Sequence, residues 1–272
     1  MTQLTARSYQ KGRITLARPQ FALARRRPHT AMLADPRVRL GAGTAVMLIT
    51  AGAARRDRVS PAEVAAFRAV NGLPDSLHLP AWAVMQLGTL GAAPAAAAVA
   101  WLSGERQLAV RLAAAGTGTW ALSKLVKQIV RRPRPASLVP GTHRRGPDAA
   151  GLGYLSGHAG VAVALGAAAL PLLGPAARSL ILIAIPAVGL TRVYVGAHLP
   201  LDIVGGAALG LAIDAAIALC QMRTPPSAKN PRRLCGDGQR ARSAAARSIA
   251  CEARAGWPRW SWRCPWKVSG TR

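Results

Sequence analysis

The chain has 272 residues, of which 51% are hydrophobic, and its formal net charge is +26 at pH 7. Because the apolar residues are gathered into long runs, the composition argues against the one or two soluble domains that this length would allow. The basic excess has two explanations. We favour the clustering of Lys and Arg at the cytoplasmic ends of membrane spans over binding to nucleic acid.

Six apolar runs approach or reach the roughly 17–25 residues that a helix needs to cross a bilayer. We therefore expect an all-α fold, a six-span transmembrane helical bundle. Glycines such as Gly205, Gly206 and Gly210 in the last run suit close packing between helices in lipid. The predicted spans are Leu40–Ala54, Leu79–Leu102, Leu108–Val126, Gly157–Leu173, Leu180–Val195 and Leu201–Leu219.

Basic residues concentrate at both ends of the chain. Residues 1–40 contain nine Lys or Arg against one acid, and residues 223–272 contain twelve against two. Both ends are therefore expected in the cytoplasm, which agrees with an even number of spans. We expect 1–39 to be a basic, disordered segment, 40–221 the membrane-embedded domain, and 222–272 a disordered tail rich in Arg and Trp. The four cysteines lie in or beside this tail, without metal-knuckle or redox spacing.

The connector after the first predicted span carries the signals of a short helix. Residues 60–63, Ser-Pro-Ala-Glu, form a capping box with proline at the first helical position. Val64, Phe67 and Val70 follow at helical spacing, and the Asn-Gly pair at 71–72 provides a stop. We expect an interfacial helix on the outer surface of the membrane.

Three distant segments place phosphate-handling residues at the end of an apolar run. The first segment contains Lys127 and Arg134, and Arg134 lies between two prolines that hold its backbone extended. A lysine offers a point charge to a phosphate, and an arginine offers a planar fork. We interpret the neighbouring Lys124, Arg131 and Arg132 as charges that simply flank the span.

The second segment, Ser156-Gly157-His158, lies at the predicted start of the fourth span. Free backbone N–H groups at a helix N-terminus, together with a hydroxyl, make a site for an anion. Glycine lets the anion approach the backbone, and His158 can donate a proton to a leaving oxygen. The simpler alternative is a helix cap followed by an ordinary histidine.

The third segment, which joins the fifth and sixth spans, contains Arg192, His198 and Asp202. A carboxylate that holds one nitrogen of an imidazole leaves the other nitrogen as a nucleophile. The alternative is that Asp202 caps a helix while His198 lies at the membrane interface. Asp214, further along the last span, is assigned no role.

The order of the spans predicts that these segments meet. The first leaves the third span, the second enters the fourth on the same side, and the third follows one full return across the bilayer. All three therefore lie on one face of the bundle, which is the external face if both termini are cytoplasmic.

With these motifs the chain resembles the type 2 phosphatidic acid phosphatase superfamily, which includes membrane lipid phosphatases. Two positions depart from the family pattern: Leu155 stands where proline is usual, and Thr191 where serine is usual. Order, spacing and side-chain type agree over residues 127–202 in the motifs Lys127-x6-Arg134-Pro135, Ser156-Gly157-His158 and Arg192-x5-His198-x3-Asp202.

The resemblance implies a site for phosphoryl transfer. It implies that His198 attacks phosphorus, that Asp202 orients His198, and that His158 protonates the leaving oxygen and then activates water. No metal and no other cofactor is expected, because fixed cations replace Mg²⁺. The groups implied to hold the phosphate oxygens are Lys127, Arg134, Ser156, Gly157 and Arg192. The histidines that match no motif are His29, His78 and His143.

The predicted function is that of a multi-pass phosphatase of the cell membrane, with its active site on the external side. Its expected partners are the bilayer and a lipid-linked phosphate monoester or pyrophosphate, of the polyprenyl or glycerolipid class. We expect the loop Arg131–Tyr154 and the external connector to select the headgroup. Two alternatives remain: a phosphotransferase in the same scaffold, and a non-enzymatic basic membrane protein that binds anionic lipid or nucleic acid.

Overall fold

The computed structural model describes residues 35–56, 58–146 and 151–223. The terminal segments predicted to be disordered, 1–39 and 222–272, lie almost wholly outside these described residues. Within them the regular structure is helical throughout, which confirms the all-α class.

The helices follow the predicted order. Proline stands in the first turn of several of them, where its missing N–H is not needed. They are Pro36–Ala54 (α1), Pro61–Asn71 (α2), His78–Met85 (α3), Ala92–Leu102 (α4), Arg106–Val130 (α5), Pro135–Leu138 (α6), Gly157–Ala169 (α7), Pro175–Tyr194 (α8) and Pro200–Arg223 (α9). Short 3₁₀ turns form at Asp75–Leu77, Gln86–Gly88 and Leu170–Leu172.

Two of these helices, α8 and α9 as far as Met222, are long and apolar enough to cross a membrane. A third crossing is present if α3 and α4 form one bent span. The predicted span Leu79–Leu102 is thus not one continuous helix, because its two halves are bent by 65° at a break. At this break Gly88 packs on the backbone of His158, where a Cβ atom would lie 2.6 Å from the carbonyl oxygen. The six-span count stays a prediction.

Helix α7 forms the centre of the bundle. It packs against α5 and α8, and most of its residues are buried. The predicted close approach of α9 is confirmed at two glycines: a Cβ atom on Gly206 would collide with the carbonyl oxygen of Ser156, and one on Gly210 with that of Gly160. Gly205 instead faces the ring of Tyr154.

Asp214 on α9 has a structural role that we did not expect. Its carboxylate is fully buried and accepts hydrogen bonds from Arg39 of α1 at 2.7 Å and from Arg111 of α5 at 2.7 Å. A carboxylate inside an apolar helix is stable only with such partners. This ion-pair cluster therefore fastens α1 and α5 to α9.

The connector helix α2 has the predicted start and end. The Ser60 hydroxyl caps it by accepting the Glu63 N–H at 3.2 Å. The return half of the capping box is replaced, because the Glu63 carboxylate binds Arg132 instead. Phe67 is fully buried in a cluster with Val193, so α2 is anchored to the bundle.

The contact between Gly210 and Gly160 gives a stability test. We expect Gly210→Ala to lower the free energy of unfolding by about 1–3 kcal/mol, because the added methyl group meets backbone that cannot move aside. The matched control is Gly41→Ala on α1, where the methyl group meets nothing within 4 Å. This control should be neutral or stabilising by up to about 1 kcal/mol. Unfolding in detergent, followed by circular dichroism, measures both; equal effects would contradict the close helix packing.

Candidate active site

Three parts of the chain meet at one end of the bundle: the end of α5, the start of α7, and the turn between α8 and α9. The Ser156 N–H donates to the carbonyl oxygen of Asp202 at 2.9 Å. The Lys127 ammonium donates to the carbonyl oxygens of Leu152 and Gly153, each at 3.0 Å. The structure thus brings together the three segments that the order of the spans predicted to share one face.

His198 and Asp202 form a buried pair. The His198 Nδ1 atom lies 3.6 Å from Asp202 Oδ2, and the side chains are 4% and 0% exposed. The same carboxylate oxygen also accepts the Leu199 N–H at 2.8 Å. With Nδ1 turned toward the carboxylate, Nε2 is the ring nitrogen left for chemistry.

The surroundings of His198 keep its imidazole neutral. Burial lowers its pKa to about 4; the Asp202 carboxylate opposes this shift, and the positive charges of Lys127 and Arg192 add to it. At pH 7 the ring therefore carries a free lone pair, which is the form that a nucleophile requires.

Two arginines are aimed by contacts with the protein. The Arg192 guanidinium, in the last turn of α8, has Nη1 2.6 Å from the Met85 sulfur. The Arg134 guanidinium donates from Nη1 to the carbonyl oxygen of Ala197 at 2.9 Å. Because each fork is held by one of its nitrogens, its direction is set before any anion arrives.

Ser156 and Gly157 form the start of α7. The Ser156 side chain is the N-cap and accepts the Ala159 N–H at 3.5 Å. A Cβ atom on Gly157 would lie 3.0 Å from the Ser123 hydroxyl of α5, so a larger residue would crowd this helix start. The first-turn N–H groups of α7 thus lie at the same end as the cations.

His158 occupies the first turn of α7, beneath the break in the second predicted span. Its carbonyl oxygen lies against Gly88. The positive charges of Arg192 and Lys127 act on the imidazoles of both His158 and His198, so the two histidines share one electrostatic environment.

A cavity of about 870 Å³ opens beside Arg134 and Arg192. The apolar side chains of Trp82 and Met85 form part of its wall. Its ionisable lining groups, among the described residues, are all basic: His78, Arg134, Arg144, Arg145 and Arg192. A cavity of this composition and size suits an anionic headgroup much larger than one phosphate.

Arg132 was interpreted as a charge that flanks the span, and this interpretation was wrong. Its side chain is buried and donates to Asp202 at 2.9 Å and to Glu63 at 2.7 Å. Its neighbour Arg131 is exposed, as expected. The segment is extended, so side chains two residues apart point to the same side. This periodicity could have assigned Arg132 to the face of Arg134; no sequence signal indicated Glu63.

Gly196 shapes the turn that returns His198 to Arg192, and our interpretation of the sequence missed it. The N–H groups of Ala197 and His198 both donate to the Arg192 carbonyl oxygen, at 3.1 and 3.2 Å. This requires a left-handed backbone at Gly196, whose φ is +73°. A Cβ atom there would also lie 2.6 Å from the His143 carbonyl oxygen.

Comparison with known proteins agrees with this geometry. Residues 107–225 match the model of the PAP2 superfamily. A transmembrane PAP2-type phosphatidylglycerolphosphate phosphatase from Bacillus subtilis is 18% identical, with a TM-score of 0.55 over 68% of this chain and 98% of that one. Aquifex aeolicus LpxE is 21% identical, with a TM-score of 0.51 over 57% of this chain and 92% of that one. No curated protein matches the chain. The family match covers the segment that holds all three motifs, so the resemblance to this superfamily that the motifs predicted is confirmed for residues 107–225. The two solved structures show that the fold is shared.

Proposed function

We propose that the protein is an integral membrane phosphatase that hydrolyses a lipid-linked phosphate monoester or pyrophosphate. The observation that carries this proposal is the buried imidazole of His198, whose Nδ1 lies 3.6 Å from the Asp202 carboxylate, at the end of the bundle where the charges of Lys127 and Arg192 act on it. A nucleophile with a lone pair, next to fixed cations, matches the needs of phosphoryl transfer.

In the first half-reaction, Nε2 of His198 attacks phosphorus and forms a P–N bond. The bond from phosphorus to the leaving oxygen breaks, and His158, in its imidazolium form, donates a proton to that oxygen and becomes neutral. The positive charge that develops on the His198 ring is stabilised by the Asp202 carboxylate. Lys127, Arg134 and Arg192 hold the equatorial phosphoryl oxygens, together with the Ser156 hydroxyl and the Gly157 N–H.

In the second half-reaction, His158 accepts a proton from water, and the resulting hydroxide attacks the phosphorus of the phosphohistidine. The P–N bond breaks, inorganic phosphate leaves and His198 is neutral again. Fixed cations neutralise charge throughout, so we propose that the reaction needs no metal.

We propose further that six spans cross the bilayer and that this site faces the external side. The support is the basic character of both chain ends and the large apolar side chains exposed on helix surfaces. These side chains include Leu48, Ile49, Val99, Leu102, Leu180 and Ile183. With the site at the mouth of the bundle, a lipid tail can stay in the bilayer while its headgroup enters the cavity.

The proposed nucleophile is tested by replacing the two histidines separately. We expect His198→Ala to lower phosphate release at least about 1,000-fold and to abolish phosphoenzyme formation. His158→Ala should lower turnover about 10²–10⁴-fold while still accumulating an acid-labile phosphoenzyme. Assays on a lipid phosphate with EDTA present, and radiolabel trapping, measure both effects.

His29→Ala, outside the described residues, serves as the control. Retained activity in His198→Ala, or loss of wild-type activity with EDTA, would contradict the proposed mechanism. The same assay with an added alcohol or sugar distinguishes hydrolysis, which yields inorganic phosphate, from the phosphotransferase alternative.

The basic lining of the cavity predicts which headgroups bind best. Arg144 lines the same cavity as Arg134 and Arg192. If it contacts a second phosphate, Arg144→Gln should raise KM about tenfold for a lipid pyrophosphate, the loss of one charge-assisted hydrogen bond, and leave KM for a monophosphate unchanged. Arg106→Gln, exposed at the start of α5, is the matched control. Equal changes for both substrates would exclude Arg144 as a contact for the second phosphate.

A further inference from the structure

A buried chain of ionised groups connects helix α2 to the catalytic carboxylate. Arg132 donates from Nη2 to Glu63 Oε2 at 2.7 Å and from Nη1 to Glu63 Oε1 at 3.1 Å. The same Nη1 donates to Asp202 Oδ1 at 2.9 Å. The side chains are 4% exposed for Arg132, 11% for Glu63 and 0% for Asp202. Neither Glu63 nor Arg132 is one of the residues that define the three motifs.

Arg132 determines which way the Asp202 carboxylate faces. It occupies Oδ1, while Oδ2 accepts the Leu199 N–H at 2.8 Å and faces His198 Nδ1. Contacts at both oxygens fix the plane of the carboxylate. If Arg132 were absent, only the Oδ2 contacts would oppose its rotation.

Glu63 determines how much negative charge Asp202 presents to His198. One guanidinium is shared between two carboxylates, so Glu63, Arg132 and Asp202 together carry a formal charge of −1. Without the Glu63 charge, Arg132 would neutralise Asp202 alone. Burial makes this difference matter, because charges interact more strongly away from water.

Glu63 also supports the backbone next to the reaction site. Its Oε1 atom accepts the Leu201 N–H at 3.1 Å, in the first turn of α9. That N–H is one of the free donors of a helix start and is satisfied here by a different helix. The connector helix α2 therefore contacts the Asp202 side chain through Arg132 and, directly, the backbone of the neighbouring Leu201.

We propose that Glu63 and Arg132 are positioning residues, which act through Asp202 to orient and charge-stabilise the His198 nucleophile. This inference rests on the proposed phosphatase function. It assigns part of the reactivity to the connector helix, and neither residue touches the substrate.

The test uses conservative variants of the full-length protein in detergent, with matched controls. Glu63→Gln keeps the shape of the side chain but removes the charge. Its amide oxygen can still accept from Arg132 Nη1 and from the Leu201 N–H, whereas its NH2 group cannot accept from Arg132 Nη2. Arg132→Lys keeps the charge but loses the planar fork. The controls are Glu105→Gln and Arg131→Lys, both at exposed positions. The probe is a short-chain phosphatidic acid.

We expect kcat to fall about tenfold in Glu63→Gln and further in Arg132→Lys, while KM stays within about twofold. The two changes combined should cost less than the product of their separate effects, because both act through Asp202. The acidic limb of the pH profile of kcat/KM should move to lower pH in Glu63→Gln. The reason is that losing a nearby negative charge lowers the pKa of His198. The other ionisable groups near His198 are Asp202, Lys127, Arg192 and the imidazole of His158.

The alternative is that Glu63 and Arg132 only stabilise the fold, and it predicts a different result. In that case the variants would lower the melting temperature while kcat per folded molecule and the pH profile stayed at wild-type values, and the proposal would be overturned. A rise in KM with unchanged kcat would overturn it as well. If Arg132→Lys does not fold, the isosteric Glu63→Gln variant still decides.

A lack of turnover in the wild type and in both controls would contradict the proposed phosphatase function. It would not contradict the coupling of Glu63 and Arg132 to His198 through Asp202. The pKa of His198, measured by NMR in the wild type and in Glu63→Gln, tests the coupling without any substrate. A lower value in Glu63→Gln supports it, and an unchanged value overturns it.

Discussion

The burial of one carboxylate, that of Asp202, organises this end of the molecule. A fully buried ionised group must be met by hydrogen bonds and opposite charge, or it would be neutral or the fold would fail. Its partners come from the segment after α5, through Arg132, and from the α8–α9 turn, through Leu199 and His198. Its own carbonyl oxygen accepts the Ser156 N–H at the start of α7. The hydrogen bonds and ion pairs that Asp202 needs therefore hold the proposed catalytic segments together.

Helix α9 carries a second buried carboxylate, that of Asp214. The net charges of the clusters around Asp202 and Asp214 differ, and this difference separates their roles. Asp214 lies twelve residues after Asp202, about 18 Å along the helix. Its oxygens are occupied by two arginines, Arg39 and Arg111, so that cluster has a formal charge of +1. The cluster of Asp202, Arg132 and Glu63 has a formal charge of −1 and faces a histidine. Only the second can stabilise positive charge on an imidazole during a reaction.

The sequence predicted the parts of this structure that follow from local patterns. The apolar runs predicted the all-α class, and the cap and stop signals predicted the ends of α2. The order of the spans predicted that three distant motifs meet at one end of the bundle. It did not predict which individual side chains from distant parts of the chain contact one another. Glu63 satisfied a local capping pattern, and only the folded chain reveals that its carboxylate is used by Arg132. The break at Gly88 was missed for the same reason, because it depends on the close backbone of His158.

That break places α3 beside the proposed phosphate site. An unbroken helix over the second predicted span would run straight past the end of α7. The bend instead brings Gly88 onto the backbone of His158 and the Met85 sulfur to Arg192. A thioether is a weak acceptor, so it can orient one nitrogen of a guanidinium without neutralising it. In the proposed mechanism the cluster of Asp202, Arg132 and Glu63 supplies the negative charge for His198, and a further carboxylate at Arg192 would compete with the phosphate. The proposed site thus places a carboxylate beside its imidazole and a neutral sulfur beside Arg192, which would leave the charge of Arg192 for the phosphate.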